Sequence, residues 1–219
     1  MNCLKIEATD INDAWFQSIK ACVEKGYEYK IAVGSYAGQR RRQLYNVTVE
    51  IKYPGIRPLA PIIPASCSFP PPTSDEKIEE YFANYLMSDK PQAGEQYIYG
   101  MYIVPQLPFA IEKLRKGYGT NQACITLGDA ESIKLPDPPC LKIIDLKIIA
   151  NQLVFTIYFR SWDLIAGFPQ NLGGLQLLKE FVISELGDEN LQDGAIIAHS
   201  SGLHIYEHFW ELANARIGK

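Results

Sequence analysis

The sequence predicts an α+β fold, a mixed sheet flanked by helices, and three observations carry that reading. Apolar runs of strand composition alternate irregularly with segments of helical spacing, so no βαβ rhythm develops. Two strand-like runs, Leu141 to Ile149 and Gln152 to Phe159, follow one another directly. No repeat or low-complexity tract interrupts the chain.

Length and composition narrow the function. The 219 residues make one large domain or two small ones, with 47% hydrophobic and 21% charged residues, as in ordinary globular proteins. A net charge of -4 excludes the broad basic surface of a nucleic-acid binder, so no nucleic acid is expected. The five cysteines, Cys3, Cys22, Cys67, Cys124 and Cys140, are odd in number and form no CxxC pair. That argues against a disulfide framework and against zinc. Met1 to Asp10 holds no long apolar stretch, and no run reaches the roughly 18 apolar residues of a membrane span. The expectation is a reduced, cytoplasmic protein away from membranes.

Taken in order, Asp10-Ile11-Asn12-Asp13 introduces a helix over Ala14 to Glu24, with Trp15, Ile19, Cys22 and Val23 at helical spacing and Gly26 closing it. Tyr29 to Val33 and Tyr45 to Tyr53 read as strands. The stretch between them is expected to be a loop carrying Arg40, Arg41 and Arg42, and it includes Ser35. The proline-rich stretch Pro54 to Pro72 reads as an extended connection. Ser74 caps a helix running to Leu86, and Phe109 to Lys116 forms a short helix ended by Gly117. A strand over Ala123 to Leu127 precedes the hairpin. A third helix covers Leu172 to Leu186, with Gly187 in the C-terminal position. A strand over Gly194 to His199 leads through His204-Ile205-Tyr206 into a helix over Glu207 to Ala215.

The hairpin points to chemistry. Its only polar break is Ala150-Asn151, and Asn tolerates the positive φ of a tight turn. With those two as turn residues, Cys140 faces Ser161, one step from Arg160. A turn at Asn151-Gln152 instead leaves Cys140 near Asp163. Either register holds a thiol near a guanidinium, and a cation lowers a thiol's pKa. A lone Cys is otherwise a small buried hydrophobe.

Downstream stands Arg160-Ser161-Trp162-Asp163-Leu164-Ile165-Ala166-Gly167-Phe168-Pro169-Gln170-Asn171. It resembles the R-S-x-D-x-x-x-G-x-P-x-N signature of thymidylate synthases, at their spacing from a Pro-Cys dipeptide, here Pro139-Cys140. His204-Ile205-Tyr206 is similar to the family's H-x-Y. The likeness spans roughly Tyr97 to Tyr206, and the whole chain resembles the shorter, archaeal-type branch.

The resemblance implies a single thymidylate synthase-like domain over residues 1–219, dimerising sheet against sheet. It implies conversion of dUMP to dTMP by Cys140 adding to C6 of the uracil ring. The one-carbon donor would be methylene-tetrahydrofolate or methylene-tetrahydromethanopterin, with no metal. Arg160 and Ser161 would hold the phosphate, and Arg160 would also activate the thiol. Asp163 would organise the base and cofactor region, and Gly167 would lie against substrate. Asn171 would meet uracil N3–H and O4; read without the motif, it is the N-cap of the helix from Leu172. His204 and Tyr206, two apart and so on one side of an extended segment, would bind the 3′-hydroxyl. His199, His204 and His208 lack the acidic or sulfur partners of a metal site. Glu80 is the candidate proton relay by order, with Glu79 and a solvated helix face as rival readings. One of the three arginines, taken as Arg41, would reach phosphate.

The chain departs from the family pattern at four places. Thr120-Asn121-Gln122 lacks the family's arginines that reach across the dimer. Leu141 replaces a His, and Phe159 replaces a Gln. The chain ends at Lys219 without the extension that closes over the folate in longer members. Two alternatives follow: a pyrimidine-nucleotide 5-hydroxymethylase, and a nucleotide-binding homologue without turnover.

Overall fold

The structure, a computed structural model, describes residues 3–34, 36–63 and 69–219; Ser35 and Cys67 lie outside the described residues. The first two helices start where the sequence supplies side-chain caps. Asp10 accepts the Asp13 amide at 2.8 Å and opens α1 (Ile11–Lys25). Ser74 does the same for Lys77 at 3.3 Å and opens α2 (Asp75–Tyr81), which widens into a π-helical turn over Phe82–Leu86. Each cap satisfies an amide that has no partner inside the helix.

The next two helices begin earlier than expected. α3 runs over Gly100–Lys116 with Pro105 and Pro108 inside it, rather than starting at Phe109. Burial of Ile103, Leu107, Ala110, Ile111 and Leu114 along one face outweighs the lost backbone bonds. α4 runs over Phe168–Leu186, with Pro169 in its first turn. Gly167 is therefore its cap, and Asn171 sits inside the helix, its amide donating to the Gly167 carbonyl at 2.8 Å. The N-cap reading of Asn171 fails. Gly187, at φ 66°, ends α4 as expected. After a short 3-10 turn, α5 (Trp210–Arg216) closes the chain.

The strands are β1 (Leu4–Ala8), β2 (Tyr27–Lys30), β3 (Arg40–Leu44), β4 (Val47–Ile51), β5 (Cys124–Thr126), β6 (Leu141–Ile149), β7 (Gln152–Phe159), β8 (Trp162–Asp163), β9 (Gln192–Ser200) and β10 (Leu203–Tyr206). They form a six-stranded sheet in the order β1-β4-β9-β7-β6-β5 and a four-stranded sheet in the order β2-β3-β10-β8. Both are mixed, as the absent βαβ rhythm predicts. The three arginines lie on β3, not on a loop. The described parts of 54–72 hold no helix or strand.

Three chain segments pass from one sheet to the other: β3 to β4 at Tyr45-Asn46, β7 to β8 at Arg160-Ser161, and β9 to β10 at Ser201-Gly202. The order β4-β9-β7 in one sheet matches β3-β10-β8 in the other. The two sheets are thus one surface folded along a line. α1, α3 and α4 pack on the face of the larger sheet that buries Ile144, Leu146, Phe155, Ile157 and Ile196. Gly173 and Gly174 let α2 approach α4: a Cβ there would come within 2.7 Å of Ile78 and 2.5 Å of Tyr81.

The β6–β7 hairpin turns at Ala150-Asn151, both at positive φ (49° and 61°). Pairing is regular from Ile149↔Gln152 to Ile143↔Tyr158, then shifts by one at a bulge between Leu141 and Ile143. Leu141 therefore pairs with Phe159, and Cys140 faces Arg160 instead of Ser161, its carbonyl accepting the Arg160 amide at 2.9 Å.

Candidate active site

A cavity of about 580 Å³ opens along the fold line between the sheets. Tyr45, Arg160, Ser161, Ser201 and Gly202, the residues at which strands change sheets, line it together with Cys140. The four-stranded sheet supplies its floor. Arg41 pairs with Tyr206, Gln43 with His204, and His204 with Asp163. Residues paired across strands share a face, so the alternation of β3 and β10 turns all five toward the cavity. Leu203 and Ile205 point the other way, into the core.

Arg160 is fastened to the segment that delivers the thiol. Its Nε donates to the Pro139 carbonyl at 3.1 Å, and Nη2 donates to the Pro138 carbonyl and pairs with Asp137 at 3.3 Å. Burial pushes the Cys140 thiol above its ordinary pKa; Arg160 opposes this, Asp137 adds to it, and Lys142 opposes it. Arg160 acts in the expected direction, but burial outweighs it. Lys142, within the bulge, is a second cation beside the thiol, and its own pKa is lowered by burial and by Arg160.

His204 is 2% exposed. Its Nδ1 lies 3.0 Å from the Gly202 carbonyl, which only accepts, so Nδ1 carries the proton and Nε2 is an acceptor. Among the described residues Nε2 has no partner. Burial lowers the His204 pKa to about 4, keeping the ring neutral at pH 7. Tyr206 packs edge-on to His204 with ring centroids 4.8 Å apart, and Tyr36 covers it at 4.3 Å. The Asp163 carboxylate accepts the Ile165 and Ala166 amides at 2.8 and 3.2 Å, while burial raises its pKa.

Strand alternation separates the arginines. Arg40 and Arg42 both lie over the Trp210 ring, 4.9 and 4.8 Å from its centroid, and pair with Glu207 and Glu28. Arg41 alone of the three lines the cavity.

Asn171, Gly167 and Glu80 do not line it. The Asn171 oxygen accepts the Trp162 indole N–H at 3.0 Å, and its NH2 group lies 2.9 Å from the Tyr81 hydroxyl. One N–H and one lone pair of that amide remain. Gly167 sits beneath it, where a Cβ would meet the Asn171 oxygen at 3.2 Å. Glu80 is exposed on α2 and lines a separate cavity of about 320 Å³ with Tyr81, Tyr85, Glu95 and Gln170.

Sequence reasoning missed Gln43, Ser201 and a tyrosine cluster. Ser201 donates to the Arg160 carbonyl at 2.9 Å and accepts from the Tyr158 hydroxyl at 3.1 Å. Tyr81 stacks on Tyr85, and Tyr85 meets Tyr99 edge-on at 5.1 Å. The Tyr99 hydroxyl accepts the Leu141 amide at 3.2 Å, so the cluster runs from the smaller cavity to the residue after Cys140. The Tyr-Ile-Tyr-Gly run at 97–100 was the available signal.

The fold is that of a thymidylate synthase. Thermostable thymidylate synthase A from Bacillus subtilis superposes with a TM-score of 0.68 at 12% identity, over 96% of this chain and 85% of that one. The thymidylate synthase family profile matches residues 86–219. A protein of Methanococcoides burtonii described as "putative thymidylate synthase" is 30% identical over 213 residues, 94% of this chain and 91% of the relative. One of the same description from Methanothermobacter thermautotrophicus is 29% identical over 92% of this chain and 93% of its own length. The chain belongs to the thymidylate synthase family. Among the described residues, no helix is long and apolar enough to cross a membrane, and no group of three His, Cys, Asp or Glu side chains is placed to hold a metal.

Proposed function

We propose that the chain, acting as a single domain, methylates dUMP to dTMP with a one-carbon unit from a folate-type reduced pterin. The observation that carries this reading is the convergence of Cys140, two cavity-facing arginines and an acceptor-bearing buried histidine on one cleft of nucleotide size. The Cys140 thiolate adds to C6, the C5–C6 π electrons move toward C5 and O4, and C5 attacks the methylene carbon. Loss of the C5 proton then expels the pterin nitrogen, and hydride from the tetrahydropterin, left as dihydropterin, completes the methyl group as the thiolate departs. Arg160, Arg41 and Ser161 hold the 5′-phosphate. His204 Nε2 accepts the 3′-hydroxyl proton, beside Tyr206. Asn171 offers its remaining donor and acceptor to the base, with Gly167 leaving room and Asp163 ordering the loop beneath. Glu80 is proposed as a proton relay from the smaller cavity, and methylene-tetrahydrofolate or methylene-tetrahydromethanopterin as donor. We also propose a homodimer through the open face of the larger sheet, where Ile143 and Ile149 are 37% and 58% exposed.

The test is incubation of the protein with dUMP and each donor, followed by mass analysis of the product. A gain of a methyl group supports the reading, and a hydroxymethyl product replaces it with hydroxymethylation. No product with either donor ends the methylation claim. Sedimentation tests the dimer.

A further inference from the structure

Arg41 is a long, flexible side chain lining a cavity, yet Tyr29 holds it in place. Its Nε donates to the Tyr29 hydroxyl oxygen, and its guanidinium lies over the Tyr29 ring at 4.9 Å from the centroid. Tyr29 stands opposite Arg41 on the neighbouring strand. The Tyr29 hydroxyl donates to the Gln43 side-chain oxygen at 2.8 Å, and Gln43 is 4% exposed on the cavity floor.

The direction of this chain is fixed by chemistry. Arg41 Nε only donates, so Tyr29 must accept there and spend its one hydroxyl proton elsewhere. The Gln43 oxygen takes that proton. With Nε engaged and the guanidinium plane set by the Tyr29 ring, the Nη edge is the part of Arg41 left to meet a ligand.

We infer that Tyr29 and Gln43 are positioning residues that orient Arg41 toward an anionic group of the ligand, the 5′-phosphate of the nucleotide. This rests on the dUMP reading above. Holding the side chain in advance lowers the entropy lost when the phosphate arrives, so the pair sets preference for nucleotide over nucleoside.

Calorimetric titration with dUMP and with deoxyuridine tests this in the intact protein, using Tyr29→Phe, Gln43→Leu and Arg41→Met. Tyr29→Phe and Gln43→Leu should each weaken dUMP about tenfold and leave deoxyuridine within about twofold. In the Arg41→Met background, Tyr29→Phe should cost nothing more, because it acts through Arg41. Equal losses for both ligands, additive losses in the double variant, or unchanged dUMP binding would overturn the positioning role while wild-type dUMP binding leaves the proposed function standing. A wild-type protein that binds no dUMP overturns both.

Discussion

Arg160 and Cys140 face each other across the β6–β7 hairpin, joined by an amide-to-carbonyl bond of 2.9 Å. The Arg160 guanidinium returns to the Pro139 and Pro138 carbonyls, so the side chain that would hold phosphate also fixes the backbone that presents the thiol. Asp137 competes for it at 3.3 Å.

That competition predicts a reactivity change. Asp137 raises the Cys140 pKa, so Asp137→Asn should lower it and enlarge the thiolate fraction at pH 8. Alkylation of Cys140 by iodoacetamide, followed by peptide mass analysis, should become about threefold faster. Slower alkylation would show that Asp137 acts instead by ordering Arg160.

His204 predicts a pH window for stability. Its folded pKa of about 4 lies below the ordinary 6.5, so the unfolded chain binds the proton more readily. The resulting stability is fully present above pH 6.5 and is lost as pH falls through 6.5 toward 4. The loss across that window should reach about 3 kcal/mol, and it should shrink in His204→Gln. Urea unfolding between pH 4 and 7 measures both slopes.

The contact between α2 and α4 predicts a packing cost. A Cβ at Gly174 would fall 2.5 Å from the Tyr81 ring, whose hydroxyl meets Asn171. Gly174→Ala should destabilise the fold by about 1–3 kcal/mol and weaken dUMP binding through the displaced Asn171. Denaturation and titration of the same variant separate the two effects.

Much of the site is legible in the sequence because its parts follow local rules. The Ala150-Asn151 turn, the Ser74 cap and the two-residue spacing of His204 and Tyr206 all depend on near neighbours. The bulge at Lys142 leaves no mark of that kind, so the register beside Cys140 is read one residue out. Arg40, Arg41 and Arg42 look like a loop because their charge hides strand alternation; only Trp210, far along the chain, explains two of them. Pro105 and Pro108 mask the start of α3, whose buried face prevails over local preference. The partners of Asn171 come from another helix and another strand, and spacing within its own motif carries no trace of Tyr81.

The central claim is that Cys140 attacks the pyrimidine ring, and tritium release from [5-³H]-dUMP measures that attack most directly. The wild-type protein should release tritium and Cys140→Ala should not, while both bind dUMP. Release that survives in Cys140→Ala, or wild-type binding of dUMP with no release, would contradict it.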